Sequence, residues 1–267
     1  MRGRLVGLCL LAVLWGSGVA DAKSVALIWK GAKVQAEAEA QRSAWAGIGE
    51  LLEKTKLELP QGYPKLVRSD TLAGLKPGFW VWLVGVCDPE GAATALEHLK
   101  VLAPDAYSRE VAVEAVDRAC PSAEGEPLVV REEKLSLPQG LKLRVFTQDE
   151  HEEPAPDEEF GDRVTLTRYH FVLTGKKGEL LGTADVVGEE DFTGDVRQGA
   201  TAYRCEMEGL SRAGKDTLVL TRSCRASAAE CGSTLGADEV TRVTVRGTTL
   251  TRGETKRRNE QTMECGE

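Results

Sequence analysis

Hydrophobic side chains occupy both faces of residues 79–86, a segment in which only Gly85 is not apolar. Successive side chains of a strand point to opposite faces, so this pattern predicts a central strand that is covered on each side. Within this strand Trp80 and Trp82 share one face. The rest of the N-terminal half can be arranged around it.

A helix and a further strand follow this segment. Asp88 can cap a helix with its side-chain oxygen, and Pro89 suits the first helical position. Apolar residues then recur at helical spacing until Pro104, which predicts an amphipathic helix packed on the sheet. Residues 106–111 are the next predicted strand.

The segments upstream complete a recognisable order. Residues 24–29 read as a short strand, residues 32–56 as a helix with one apolar stripe, and residues 65–68 as another short strand. The order strand, helix, strand, strand, helix, strand predicts a ferredoxin-like α+β domain (βαββαβ) over residues 23–120. In that arrangement the first and third strands are central, and they are the most apolar strands of this half.

The second half of this unit resembles the sporulation-related repeat (SPOR) family. The similar parts are the strand at residues 82–86 (Trp-Leu-Val-Gly-Val), a helix that carries Glu90, Ala92, Leu96 and Leu99, and the closing strand at residues 105–111. The first strand, with Ile-Trp-Lys-Gly at residues 28–31, lacks the family's Gln-x-Gly-x-Phe. Members of the family bind peptidoglycan glycan strands on an open sheet face, so the resemblance implies a glycan site on this sheet.

The composition changes beyond residue 120. Residues 121–127 are small, polar and bounded by prolines, which predicts a linker. Residues 128–267 contain alternating segments separated by glycine-containing turns, which predicts an antiparallel all-β meander curled into a barrel or half-barrel. The alternating segments are residues 141–147, 163–173, 179–187, 200–208, 216–224, 239–246 and 248–252.

The chain begins with the pattern of a secretory signal peptide. Arg2 and Arg4 precede an apolar run at residues 5–14, and the small residues 20–22 are typical of a cleavage site. Because this run is too short to span a bilayer, we expect cleavage after residue 22, export to the periplasm or the extracellular space, and no membrane span. Cleavage removes two arginines and one aspartate, so the net charge changes from −8 to −9. Such an acidic chain is poorly suited to nucleic acid.

Six cysteines remain after residue 22, and an even number in an exported chain favours disulfides over metal ligands. The third and fourth strands of the ferredoxin-like order are parallel and end at the same edge, which favours a disulfide within the N-terminal domain. The other four cysteines allow three connectivities, and a hairpin that turns at residues 214–215 favours one of them. The expected pairs are Cys87 with Cys120, Cys205 with Cys224, and Cys231 with Cys265.

The candidate ligand-binding residues are Trp80 and Trp82, together with Trp29 on a strand expected to be a neighbour. Indoles that share an open sheet face would form a stacking platform for sugar rings, because each indole is flat and apolar with a polar N–H. The alternative is that they pack under a helix or against the C-terminal half, as large aromatic residues of central strands usually do.

No catalytic motif is found. The chain has no G-x-S-x-G, no H-E-x-x-H and no glycine-rich phosphate loop, so no catalytic residue and no cofactor are predicted. His170 is predicted on a strand surface and His98 on the polar side of the second helix. Residues 149–159 carry seven carboxylates around His151, which predicts a solvated acidic loop rather than a calcium site.

These observations favour an exported, non-enzymatic cell-envelope protein whose N-terminal domain binds peptidoglycan, another envelope glycan or a protein. One alternative is a glycan hydrolase that uses two carboxylates distant in sequence. Another is a purely structural interaction protein that uses its sheet edges. An open aromatic face would favour the binding protein, and a pocket with two carboxyls on facing strands would favour the hydrolase. The structural protein would remain if the tryptophans lie under the helices and no cleft exists.

Overall fold

The computed structural model describes residues 23–267 except 126, 127, 134, 136, 139, 155–160, 198, 199, 230, 232, 263 and 265–267. The predicted signal peptide at residues 1–22 and the predicted disulfide partner Cys265 lie outside the described part. Within that part the chain combines three antiparallel sheets with three α-helices. No helix among the described residues is long and apolar enough to cross a membrane.

The N-terminal part is a four-stranded sheet with helices against one face. Its elements are β1 (Ser24–Ala32), α1 (Gln35–Glu39), α2 (Arg42–Gly49), β2 (Leu57–Glu58), β3 (Lys65–Arg68), β4 (Trp80–Cys87), α3 (Pro89–Leu102), β5 (Tyr107–Val111) and β6 (Ser122–Ala123). The sheet order is β3-β4-β1-β5, and β2 pairs with β6 separately. The strands β4 and β1 therefore occupy the centre, and every neighbouring pair is antiparallel.

Several local predictions for this part are confirmed. β4 is buried over seven consecutive residues after Trp80, as expected of a central strand with apolar residues on both faces. α3 begins with the predicted cap, since Oδ1 of Asp88 accepts a hydrogen bond of 2.8 Å from the backbone N–H of Gly91 and Pro89 is the first helical residue.

The single helix predicted for residues 32–56 is wrong. The chain forms the shorter helices α1 and α2 and then a 3₁₀ turn at Glu53–Thr55. The carbonyl oxygen of Ala38 accepts hydrogen bonds from the indole nitrogen of Trp82, at 2.8 Å, and from the backbone N–H of Gln41, at 3.1 Å. This 3₁₀-type bond replaces the α-helical one, so α1 ends there. α2 ends at Gly49, where glycine weakens helix continuation.

The C-terminal part is one large antiparallel sheet. Its elements are β7 (Val130–Glu133), β8 (Lys142–Glu152), β9 (Arg163–Thr174), β10 (Leu180–Arg197), β11 (Ala200–Arg212), β12 (Thr217–Ala229), β13 (Thr234–Arg246), β14 (Thr249–Arg252) and β15 (Lys256–Thr262). Strands β7 to β14 are neighbours in sequence order, and β15 pairs with β13. The predicted antiparallel meander is therefore confirmed.

The large sheet bends back on itself. Leu250 of β14 lies so close to Gly182 of β10 that a Cβ at this glycine would be 3.2 Å from the Cβ of Leu250. Irregular register occurs near residue 188 of β10 and residue 208 of β11, where an extra residue interrupts the pairing. Such bulges increase local twist and bend the strand. The bend brings Phe171, Leu218 and Val243 from separated strands into one buried cluster.

The two parts share a hydrophobic core across the predicted domain boundary. Phe146 of β8 and Val172 of β9 belong to the same buried cluster as Trp29 and Leu99 of the N-terminal part. Helix α2 also packs closely on the large sheet, since a Cβ at Gly47 would be 2.6 Å from the Cβ of Leu180. Because residues of both parts complete this core, each part stabilises the other.

The predicted linker at residues 121–127 is partly attached to the N-terminal part. Its residues Ser122 and Ala123 form β6 and pair with Glu58 and Leu57 of β2. Residues 126 and 127 lie outside the described part.

Candidate functional site

The predicted tryptophan platform is wrong for two of its three members. Trp29 and Trp82 are 1% and 2% exposed, and both face the helices within the shared core. Trp29 also packs edge-on against Trp45 of α2, with 5.0 Å between ring centroids. These indoles fill space between sheet and helices, where burial of large aromatic side chains stabilises the fold strongly. Neither presents a ring face to a sugar.

Trp80 is the candidate that remains partly exposed. It lies opposite Arg68 in the pairing of β3 with β4, and the Arg68 guanidinium is 5.5 Å from the indole centroid. Arg68 also forms an ion pair with Asp70, whose other oxygen accepts the backbone N–H of Gly78 at 2.7 Å. The hydrogen bonds from Gly78 and Arg68 lower the pKa of Asp70. This carboxylate therefore holds Arg68 beside the ring.

The opposite face of the N-terminal sheet is also covered. Ile28, Val81 and Leu83 on that face are buried, and they pack against side chains from the connector before β4 and from the ends of the strands. The covering residues include Tyr63, Leu72, Leu75, Phe79, Tyr107 and Val113. The open sheet face that the family resemblance implied is therefore not present in the described structure.

Two of the three predicted disulfides are confirmed. Cys87 is bonded to Cys120, and Cys205 is bonded to Cys224. The second pair joins residues that are directly opposite in the pairing of β11 with β12, as the predicted hairpin required. Cys231 is disulfide-bonded. Its predicted partner lies outside the described part, so that pairing stays a prediction.

A cluster of charged side chains lies beside the Cys205–Cys224 disulfide, around a cavity of about 50 Å³. Arg222 of β12 contacts Glu190 of β10 at 3.4 Å and Glu239 of β13 at 2.8 Å. Arg257 of β15 contacts the other oxygen of Glu239 at 3.1 Å, and the Tyr203 hydroxyl donates to Glu190. The side chain of Glu239 is only 8% exposed, so its charge needs these partners.

This cluster does not have the geometry of a glycosidase. Such an enzyme needs one carboxyl as proton donor, another as base or nucleophile, and space for a sugar between them. Here one guanidinium fills the space between Glu190 and Glu239, and the cavity beside it is close in size to one or two water molecules. The arrangement instead connects the four strands β10, β12, β13 and β15 by ion pairs.

A second polar network joins the two parts of the molecule. Nζ of Lys54, in the 3₁₀ turn after α2, is 2.7 Å from Asp185 of β10. The same carboxylate contacts Nδ1 of His170 at 2.7 Å, and Nε2 of this histidine is 3.0 Å from Oε1 of Gln148. Burial tends to raise the pKa of Asp185, but hydrogen bonds from His170 and Lys54 outweigh it and hold the pKa below its ordinary value.

The surface positions predicted for two histidines are wrong. The side chain of His170 is 3% exposed, because the N-terminal part covers this region of the large sheet. His98 is fully buried, with Nδ1 2.8 Å from the carbonyl oxygen of Thr55 and Nε2 3.2 Å from that of Gly125. The sequence does not indicate that either imidazole ring is buried, because the groups that cover each ring come from distant segments.

The acidic segment at residues 149–159 is partly strand rather than loop. Residues 149–152 belong to β8, and Glu150 forms two hydrogen bonds with Arg168 of β9, at 2.7 and 2.8 Å. Glu153 is paired with Arg163 at 2.8 Å, and residues 155–160 lie outside the described part. Among the described residues, no group of three or more histidine, cysteine, aspartate or glutamate side chains could hold a metal ion.

Comparison with known proteins finds no match for this chain among family models, curated proteins or solved structures. The resemblance to the SPOR family therefore stays a prediction.

Proposed function

We propose that this protein is an exported, non-enzymatic cell-envelope protein that binds an envelope glycan or a protein where β4 begins beside the edge strand β3. The observation that carries this proposal is the partly exposed indole of Trp80 with the Arg68 guanidinium beside it. Arg42 of α2 is exposed and lies 5.0 Å from the ring centroid of Trp82, on the same face as Trp80. We call Arg42, Arg68 and Trp80 the tryptophan–arginine surface.

The chemistry of this surface suits recognition. A sugar ring can stack on an indole, and arginines at its border can donate hydrogen bonds to hydroxyl or carboxylate oxygens. Tryptophan and arginine are also the residues most enriched at the energetic centres of protein interfaces. Trp29 and Trp82 contribute to this surface only indirectly, because their burial holds β4 and α2 in place.

The proposal includes the fold and the compartment. The order β3-β4-β1-β5, with helical segments between β1 and β3 and between β4 and β5, supports a ferredoxin-like N-terminal domain. The disulfides of both parts support an oxidising compartment such as the periplasm or the extracellular space. The shared guanidinium of Arg222 argues against a hydrolase that would use Glu190 and Glu239 as its two carboxyls.

Retention on purified peptidoglycan sacculi, with soluble polysaccharides as competitors, tests the proposal. Trp80→Ala should lower retention about tenfold, as expected for loss of a central aromatic contact, and the melting temperature should show that the variant is folded. The matched control is Tyr107→Ala, since Arg109 lies 4.8 Å from this ring at the other edge of the sheet. Equal retention of wild type and a folded Trp80→Ala variant would refute the proposed surface.

A further inference from the structure

A cleft of about 160 Å³ lies where the N-terminal part meets the large sheet. One side is formed by the end of α3 and the turn after it, including Leu102 and Asp105, and another by the β9–β10 turn around Gly175 and Gly178. The buried Trp29 of β1 also lines it. Because a water molecule occupies about 30 Å³ in the liquid, this space admits a small ligand rather than a single water.

The lining of this junction cleft is cationic, although the whole chain has a net charge of −8. Lys30, Lys142, Arg144 and Lys176 contribute four positive groups, and Asp105 contributes one carboxylate. These groups come from β1, from β8, from the β9–β10 turn and from the turn after α3. These groups come from separate segments and meet only in the folded chain. No local run of basic residues therefore indicates a cationic cleft in the sequence.

Lys30 combines burial with remaining hydrogen-bonding capacity. Its ammonium group donates to the carbonyl oxygen of Lys177 and lies 5.1 Å from the Trp29 ring centroid. Burial lowers the pKa of Lys30, while the carboxylates of Asp105 and Glu179 act in the opposite direction. An ammonium group has three N–H donors, so Lys30 has further donors for a ligand in addition to the bond to the carbonyl.

Arg144 covers the partly negative C-terminus of α3, which would otherwise repel an anion. The C-terminus of a helix carries a partial negative charge on its carbonyl groups. The Arg144 guanidinium donates to the carbonyl oxygens of Val101 and Lys100, the latter at 3.2 Å, and so covers the end of α3 beside the cleft. The cationic groups of the cleft are therefore not offset by this helix end.

We propose that the junction cleft binds a small organic anion, with its charged group between the ammonium groups of Lys30 and Lys176. The cleft has the charge and the volume for such a ligand. It shares no residue with the tryptophan–arginine surface, so the two proposals can fail independently.

Titration of the mature protein, followed by amide NMR shifts at low ionic strength, tests this site. The probes are glucuronate, glucose 6-phosphate and glucose, because the first two add a carboxylate or a phosphate to the same sugar. Both anions should shift the amides of residues 102, 103 and 105 and of residues 174–178, and glucose should leave them unchanged. The stronger of the two anions identifies the charged group that the cleft prefers.

Variants that change the charge of the cleft lining test which residues determine the affinity for the anion. The double variant Lys30→Gln with Lys176→Gln should lower the affinity for the stronger anion about tenfold, because two positive charges are lost near the ligand. Asp105→Asn should raise it about threefold by removing the carboxylate of the lining. An affinity gain cannot result from unfolding, so Asp105→Asn remains informative if the double variant folds poorly. Lys177→Gln is the matched control, since its side chain is exposed and does not line the cleft.

Three results would overturn the inference. One is equal shifts with glucose and with the two anions, which would show that charge is not recognised. Another is an affinity that stays the same in Asp105→Asn and in a folded double variant. The third is the absence of shifts at the cleft with millimolar anion while other surfaces respond. Each of these results would refute the cleft proposal alone. Trp80→Ala could still lose sacculus retention, because that assay tests the tryptophan–arginine surface.

Discussion

The indole nitrogen of Trp82 donates a hydrogen bond of 2.8 Å to the carbonyl oxygen of Ala38. This bond connects the central strand β4 to the end of α1. It gives the buried indole a partner for its N–H and occupies the carbonyl at which the helix stops. One side chain thus accounts both for the absence of an open aromatic platform and for the break in the predicted long helix.

Replacement of Trp82 should separate the contributions of the ring and of this hydrogen bond. Trp82→Phe keeps an aromatic ring but removes the N–H, and it should lower the free energy of unfolding by about 1–2 kcal/mol. Trp82→Ala also leaves a cavity in the shared core, and it should cost about 3–5 kcal/mol. Urea unfolding measures both values. Trp80→Phe is the control, because that indole is only partly buried, and an equal loss there would contradict the core role.

Removal of the Cys87–Cys120 disulfide should destabilise the protein substantially. The bond closes a loop with a sequence separation of 33 residues, and the chain-entropy relation assigns such a loop about 3–4 kcal/mol. The pair Cys205–Cys224, with a separation of 19, should contribute a few tenths of a kcal/mol less. Urea unfolding of the two double-alanine variants checks both values. A clearly larger loss at the shorter loop would show that loop entropy is not the main term.

The mature protein should begin at Lys23 and contain no free thiol. Its intact mass should be lower than that of the fully reduced form by six hydrogens, since the six cysteines after residue 22 are expected to form three disulfides. A non-reducing digest should yield a peptide pair that joins Cys231 to Cys265. A mass that retains Met1 would contradict the cleavage prediction, and a peptide joining Cys231 to any other cysteine would contradict the pairing.

The Asp185 network should make stability depend on pH under acidic conditions. The pKa of Asp185 is lower in the folded protein than its ordinary value, so its contribution is complete above the unfolded-state pKa near 4. That contribution should be lost as the pH falls below this value toward the lower folded-state pKa. Asp185→Asn should therefore be less stable than wild type at pH 6, and the difference should shrink by pH 2.5.

Thermal or urea unfolding at a series of pH values measures this difference. Asp149→Asn is the control, because Asp149 is an exposed carboxylate of β8 that accepts a hydrogen bond of 2.7 Å from the Thr167 hydroxyl. This variant gives the effect of removing one exposed carboxylate from the large sheet. A constant difference between wild type and Asp185→Asn across this range would exclude a stabilising role of the ionised carboxylate.

Local features of this chain followed from the sequence alone. The apolar pattern of residues 79–86 determined a central strand, and Asp88 with Pro89 determined where α3 begins. The alternation after residue 128 determined the meander, and its turn at residues 214–215 determined which cysteines are opposite. Each of these features depends on neighbours in sequence, on strand periodicity or on a short turn, and such interactions can be read without the rest of the fold.

The tertiary structure decided which faces are covered. The alternation of Trp80 and Trp82 is the same for an open platform and for a buried core, and only the packing of α1 and α2 buries Trp82. Likewise, the sequence does not indicate that Lys54 reaches His170 or that Lys30 joins Lys176 in one cleft. Burial and charge clustering arise from contacts between segments far apart in the chain, and the energy of those contacts depends on the complete three-dimensional arrangement.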